Sequence, residues 1–403
     1  MAKKTVVIAV AIVAILVVAA VVVVVASGGN DDSDDSSTKY TIKANVSKDC
    51  TGTPFYVGVD IGYFDAYDID FRDAGELEYR LVPTALVGGQ TDIYDGHPIT
   101  IINLIQGGAN VKGVVMTGYE PESPTKNLNQ LHMHWLVDKT RNDGKVINNV
   151  DDLFKIGHKP KIAVLAEGVC ADLEVKIWLR DAGYTESQYE IVVLSDPYQE
   201  AALQNGSIDV AVLHPPFYSA AESHKDVTVI ATSYDTLGQY AGVSLLVFTE
   251  DFIKKNPETV RQFIKAYKAA QNWSNDHQIE AGILTAETIG LDAAVPHWAS
   301  PSGKITDADL QPWIDAMVEF GLLKAGEFKP SDLYTTQFAD TWVDPVKEQP
   351  LNPYNSDKNN EKKWFDKTSS EETVFVEQSD FQSAAELDHG VHIEAAVLSG
   401  IKY

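Results

Sequence analysis

The stretch Leu203-Gln-Asn-Gly206-Ser-Ile-Asp209-Val-Ala-Val-Leu-His214-Pro215 decides the fold, because its pattern occurs once before, as Leu86-Val-Gly-Gly89-Gln-Thr-Asp92-Ile-Tyr-Asp-Gly-His97-Pro98. Both copies spell L-x2-G-x2-D-x4-H-P. Leu fits the last turn of a helix, and Gly fits the left-handed position just past it. The Asp opens a short apolar run, Ile93-Tyr94 in one copy and Val210 to Leu213 in the other. His-Pro closes that strand, with Pro98 and Pro215 expected as the first residues of the following helices. Each copy is therefore a helix-strand-helix unit that puts a His at the carboxyl end of a strand, where open α/β sheets bind ligands. Two copies at identical spacing predict two similar lobes facing one cleft.

With 403 residues, 44% of them hydrophobic, the chain can build two domains with their own cores. A formal charge of −26 opposes nucleic acid and acidic membrane surfaces as partners, and settles little else. Residues Val6–Ala26 form an unbroken apolar run behind Lys3 and Lys4, about the ~20 residues that span a bilayer. It is longer than the roughly 7–15 residues of a signal-peptide core. A membrane anchor or signal segment over 1–26 is expected, the uncleaved anchor being preferred, with the lysines keeping the N-terminus cytoplasmic and the body outside the cell membrane. No Cys follows the run, which argues against a lipoprotein anchor. Residues 27–38 read as a flexible linker of Gly, Asn, Ser, Asp and Thr, and 343–403 as an extension to which no role is assigned.

The alternation of apolar runs predicts strands near Lys39–Val46, Leu77–Val82, Val111–Met116, Gln130–Val137, Lys161–Leu165, Ile191–Leu194, Val227–Ala231 and Val243–Thr249. Helices are expected at Ile99–Gln106, Asp172–Ala182, Glu250–Trp273, Ile279–Ile289 and Asp307–Leu323. Two crossings, Glu120–Asn129 and Ser233–Gly242, then divide the body into lobe 1 (39–119 plus 241–342) and lobe 2 (120–240).

Several segments resemble the nitrate/sulfonate/taurine class of solute-binding receptors of ABC transporters, which also includes thiamine-pyrimidine receptors. They are Gly62-Tyr63-Phe64 with Ile69-Asp-Phe71, both repeats, Gly108-Ala-Asn-Val-Lys-Gly113, Lys161-Ile-Ala-Val164 with Gly168, and Phe252-x3-Asn-Pro257-Glu-x-Val260 through Ala266. The resemblance covers about residues 40–340 and implies an α/β, two-lobed, periplasmic-binding-protein-like (type II) clamshell. It further implies a small-molecule ligand of the sulfonate, nitrate or taurine kind, delivered to an ABC permease, and no enzyme activity. The alternative is an enzyme on the same scaffold, acting on a small pyrimidine or carboxylate-type substrate. The Cys-rich motif of the pyrimidine-synthase relatives is absent.

Ligand-binding candidates follow from strand ends: Cys50, Thr51, Gly52 and Thr53 after the first strand; Gly96, His97 and Pro98 with His214 and Pro215 from the repeats; Gly168 and Cys170 from the second lobe; and Tyr240 as an aromatic wall in the return crossing. Asp92 and Asp209 read as structural. Cys50 and Cys170 are the only cysteines, and free thiols are favoured because a disulfide between them would tie the lobes together. His132 and His134 are expected on one strand face, with no third ligand at standard spacing, so neither a metal nor another cofactor is expected. Motifs for phosphate loops or serine hydrolases are absent. An anion held between His97 and His214 is expected, bound more weakly as pH rises from 6 to 8.

Overall fold

The computed structural model describes residues 39–121, 130–139, 146–224, 226–291, 294–296 and 298–342, with the side chains of Cys50 and Tyr79 outside that set. These residues lie in one compact unit of chain that begins at Thr38. Ten strands occur among them: β1 (Tyr40–Ala44), β2 (Ile69–Asp73), β3 (Tyr94–Gly96), β4 (Val111–Gly118), β5 (His134–Asp138), β6 (Lys161–Val164), β7 (Glu190–Val193), β8 (Val210–Leu213), β9 (Val227–Thr232) and β10 (Ser244–Thr249).

The second sheet has the order β7-β6-β8-β5-β9. The first is built from β1 beside β2 and from β3-β10-β4. The repeat Asp joins these two pieces. Asp92 donates its backbone N–H to the Lys43 carbonyl at 2.7 Å and accepts the Lys43 N–H on Oδ2 at 2.8 Å. Asp209 makes the same pair with Lys161, both at 2.8 Å. The first sheet therefore reads β2-β1-β3-β10-β4, strand for strand the counterpart of the second. In each, the strand contributed from across the chain is antiparallel to its two neighbours: β10 against β3 and β4, β5 against β8 and β9. The duplication read in the sequence is a duplication of sheets. Gly89 and Gly206 hold φ of 70° and 74°, the left-handed turn that leads from helix to strand.

Apolar packing is continuous between the sheets. One buried cluster runs from Leu86, Ile101 and Ile102 through Trp135, Ile162 and Leu173 to Trp313 and Met317. A second packs the Pro257–Asp276 helix against β1 and β10 through Phe263, Ile264, Tyr267, Ile42 and Phe248. Each such fully buried side chain is worth roughly 1.5–3 kcal/mol over its exposed state, so the helix is held by its apolar face.

Several expectations are corrected. The strand foreseen at Leu77–Val82 is a 3-10 turn running into the Val82–Val87 helix, with Pro83 in its first turn. The true second strand is Ile69–Asp73, paired in parallel with β1. Pro215 does not begin a helix: the Pro215–Pro216 bond is cis and the helix starts at Phe217, whereas Pro98 is the first residue of the Pro98–Gln106 helix. The long helix from Glu250 breaks at Asn256 (φ −130°, ψ 49°), because Pro257 disfavours helical backbone in the residue before it. His132 precedes β5, so strand alternation does not place it with His134: His134 stacks on Tyr218 and bonds Glu222, while the His132 ring lies against His97 and His214. The Val6–Ala26 run, the linker, most of the Glu120–Asn129 crossing and residues 343–403 lie outside the described residues. Among the described residues no helix is long and apolar enough to cross a membrane.

Candidate functional site

His97 and His214 stand at the carboxyl ends of β3 and β8, and both line one cavity of about 40 Å³. A water needs on the order of 10–15 Å³, so the space takes a few waters or a compact ion. A sulfonate with a carbon chain requires the walls to part.

Each His is fixed by its Nδ1. His97 Nδ1 lies 2.8 Å from the Val243 carbonyl, which can only accept, so Nδ1 carries a proton and, in the neutral ring, Nε2 is the nitrogen with the lone pair. His214 Nδ1 lies 2.7 Å from Asp196 Oδ2, and the His214 backbone N–H meets the same oxygen at 3.1 Å. Asp196 Oδ1 accepts from Gln199 Nε2 at 3.1 Å, and Gln199 Oε1 accepts the Val212 N–H at 2.9 Å. The carboxylate is thereby anchored to β8 itself. On its other side, His214 Nε2 meets Cys170 Sγ at 3.6 Å.

Cys170 is the first residue of the Cys170–Asp181 helix and a free, buried thiol. Burial pushes its pKa up, but the imidazoles of His97 and His214 outweigh that and lower it to about 6. Burial would lower His97 and His214, yet both are raised, His97 by the sulfur and His214 well above its ordinary value by Asp196 first and then the sulfur. His132 sits between the two, its ring centroid 4.5 Å from that of His97 and 4.9 Å from that of His214. Its backbone N–H donates to the carboxylate of Glu120 at 3.0 and 3.1 Å. Glu120 is fully buried, and burial raises its pKa to about 7.

Carboxyls and hydroxyls share the rest of the lining with Pro54, Leu165 and Ala299. Asp49 accepts the Thr51 N–H and hydroxyl at 2.8 and 2.6 Å. Asp95 accepts from Thr117 at 2.6 Å and from Tyr267 at 3.3 Å. Burial raises both carboxyls. Ser244 and Gln271 belong to this wall, and among the described residues the lining contains neither Lys nor Arg.

Of the residues singled out in the sequence, Thr51, Thr53, Gly96, His97, Cys170 and His214 line the cavity; Gly52, Pro98, Gly168, Pro215 and Tyr240 do not. The Gly168 carbonyl instead accepts from Asn103 at 3.0 Å, and the Tyr240 carbonyl from the Trp313 indole at 2.8 Å. The side chain of Cys50 lies outside the described residues. Asp49, Asp95, Asp196 and His132 were missed as site members. His132 carried a signal in its neighbour His134, whereas Asp196, at the first turn of the Asp196–Asn205 helix, carried none.

The sheet order and the cleft between strand ends define an α/β fold of the periplasmic-binding-protein kind. Solved structures share it: the periplasmic aliphatic sulphonate binding protein SsuA of Escherichia coli (TM-score 0.58, 18% identity, 75% of this chain and 100% of that one). The periplasmic nitrate-binding protein NrtA of Synechocystis PCC 6803 aligns with a TM-score of 0.60 at 12% identity, over 75% and 88% of the two chains. The desulfurization enzyme DSZB aligns with a TM-score of 0.52 at 11% identity, over 75% and 99%. In sequence, the taurine-binding periplasmic protein of Escherichia coli (strain K12) is 38% identical over 95 residues, 23% of this chain and 29% of that protein's length. The family model described as NMT1-like matches residues 84–289, just over half the chain, and the chain belongs to the NMT1-like family.

Proposed function

We propose that the protein is an extracytoplasmic solute-binding component of an ABC importer, closing on a small solute of the sulfonate, nitrate or taurine class and presenting it to the permease. The observation that carries this is the convergence of His97 and His214, from equivalent positions in two duplicated sheets, on one cavity. The names of the sulphonate-, nitrate- and taurine-binding relatives support it. Residues 39–119 plus 241–342 and residues 120–240 are the two lobes of this proposal, and 1–26 its membrane anchor. The ligand-facing residues are Thr51, Thr53, Gly96, His97, Cys170 and His214.

A thermal-shift screen of taurine, alkanesulfonates, nitrate and small carboxylates tests it. A true ligand at 100 times its Kd stabilises the fold by roughly 2.7 kcal/mol, and His97→Ala or His214→Ala should weaken binding about tenfold or more. Silence across the whole screen counts against solute binding. Mass spectrometry of the N-terminus from native membranes decides the anchor: a chain starting near Ser27 removes it. The Asp196–His214–Cys170 relay favours a second reading, an enzyme using Cys170 as nucleophile on a small pyrimidine or carboxylate-type substrate. Turnover, rather than stoichiometric binding, distinguishes it.

A further inference from the structure

We propose that the cleft holds a transition-metal ion of Zn²⁺ character, ligated by Cys170 Sγ and the imidazoles of His97, His132 and His214. Ligand atoms of His97, His132 and Cys170 lie within 4.8 Å of one another, and all three residues are buried. His214 Nε2 lies 3.6 Å from Cys170 Sγ. Zn–S of ~2.3 Å and Zn–N of ~2.0–2.1 Å at a tetrahedral angle set a sulfur-to-nitrogen separation of roughly 3.6 Å. That edge of the coordination polyhedron is already formed. His97 and His132 already share the 4.8 Å group with Cys170, and His214 joins through the sulfur, so completing the shell requires the imidazoles to draw together by side-chain rotation.

The outer shell agrees. A metal-ligating His usually gives its other ring N–H to a carboxylate or carbonyl, which fixes the tautomer and the ring orientation. His214 does this with Asp196 and His97 with Val243, so both leave Nε2 to the cavity. The Asp196 carboxylate is in turn held by Gln199.

Charge points the same way. Among the described residues the cavity is lined by Asp49, Asp95 and the Cys170 sulfur, with no Lys or Arg to face an anion. The carboxyl oxygens and the sulfur offer a cation lone pairs. One thiolate, three neutral imidazoles and a divalent ion together carry a single positive charge, which Asp49 and Asp95 offset where they are ionised. Thiolate with imidazole is the donor set of zinc and copper, not of magnesium or calcium.

The inference does not depend on the solute, so its test omits solutes. The full chain is stripped with a chelator, then titrated with Zn²⁺ against a chromophoric competitor and, separately, with Co²⁺. The expected result is one ion per chain and a thiolate-to-Co²⁺ charge-transfer band. In the same sample, Zn²⁺ should slow iodoacetamide alkylation of the Cys170 peptide, followed by mass spectrometry, at least tenfold. Cys170→Ser should abolish the band, and Asp196→Asn, which touches the ion only through His214, should weaken Zn²⁺ binding about 10–100-fold. Should Cys170→Ser fail to fold, alkylation protection in the unaltered chain still decides. No band and no protection overturn the proposal. Uptake left unchanged by both substitutions also overturns it, by placing the ion on the acidic surface. Neither failure affects a solute-induced thermal shift, so the two proposals fall separately.

Discussion

Replacing Lys268 by Met tests the electrostatics beneath the cleft. Lys268 is fully buried in the Pro257–Asp276 helix and donates to the Ser300 carbonyl and, at 3.2 Å, to Gln271 Oε1, a residue of the cavity wall. Burial lowers its pKa from 10.5 to about 7. The folded protein therefore releases this proton near pH 7, while the unfolded chain keeps it to 10.5. Between those values the unfolded state holds more protons, and stability rises with pH. At ~1.36 kcal/mol per pH unit, burial of this amine costs the fold about 5 kcal/mol well below pH 7. The penalty is about 4 kcal/mol at pH 7, where half the amines are already neutral, and about 2 kcal/mol at pH 9. Met fills a similar volume without charge but leaves the Ser300 and Gln271 oxygens without their donor, at a cost of ~1–3 kcal/mol. The variant should be about 1–3 kcal/mol more stable than the unaltered chain at pH 7, and within ~1 kcal/mol of it at pH 9. Urea unfolding followed by tryptophan fluorescence at both pH values measures this, and every other titrating group cancels in the difference between the proteins. A difference that stays the same from pH 7 to pH 9 refutes a depressed amine.

Gln199 is fully buried and bonds Leu194, Asp196 and Val212 at once. Gln199→Leu strips these partners and should lower stability by about 2–4 kcal/mol; an unmoved urea midpoint would show that the network carries nothing. Asp209→Ala removes the carboxylate that accepts the Lys161 N–H and meets His158, and should cost ~1–2 kcal/mol while leaving any cleft ligand's affinity unchanged, as calorimetry would show. A Cβ at Gly96 would fall 2.1 Å from the Tyr94 ring. Gly96→Ala therefore forces Tyr94 aside next to His97, with an expected loss of ~1–3 kcal/mol and weaker binding in the cleft. Unaltered melting and binding would mean that the ring has room to turn.

Much of the fold was legible because its signals are local. The Gly that ends a helix, the Asp that opens a strand and the His-Pro that closes it lie within thirteen residues of one another in each copy. Their spacing placed β3 and β8, and the two histidines, in equivalent settings. The misreadings arose where a local pattern competed with a partner elsewhere. Leu77–Val82 has the composition of a strand, but Ile69–Asp73 had already taken the place beside β1. His132 looked like a neighbour of His134, yet the strand begins after it.

By itself the sequence determined the duplicated α/β units, the histidines at their strand ends and the two sulfurs, because each is written in residues near one another in the chain. Only the tertiary structure decided what those histidines face. Asp196 lies on a helix that packs under β8, Cys170 begins a helix after β6, and His132 enters ahead of β5, so the relay and the cavity it faces exist only once three separate chain segments are brought within a few ångströms. Sequence spacing carries no record of that distance, because it is set by how sheets and helices pack.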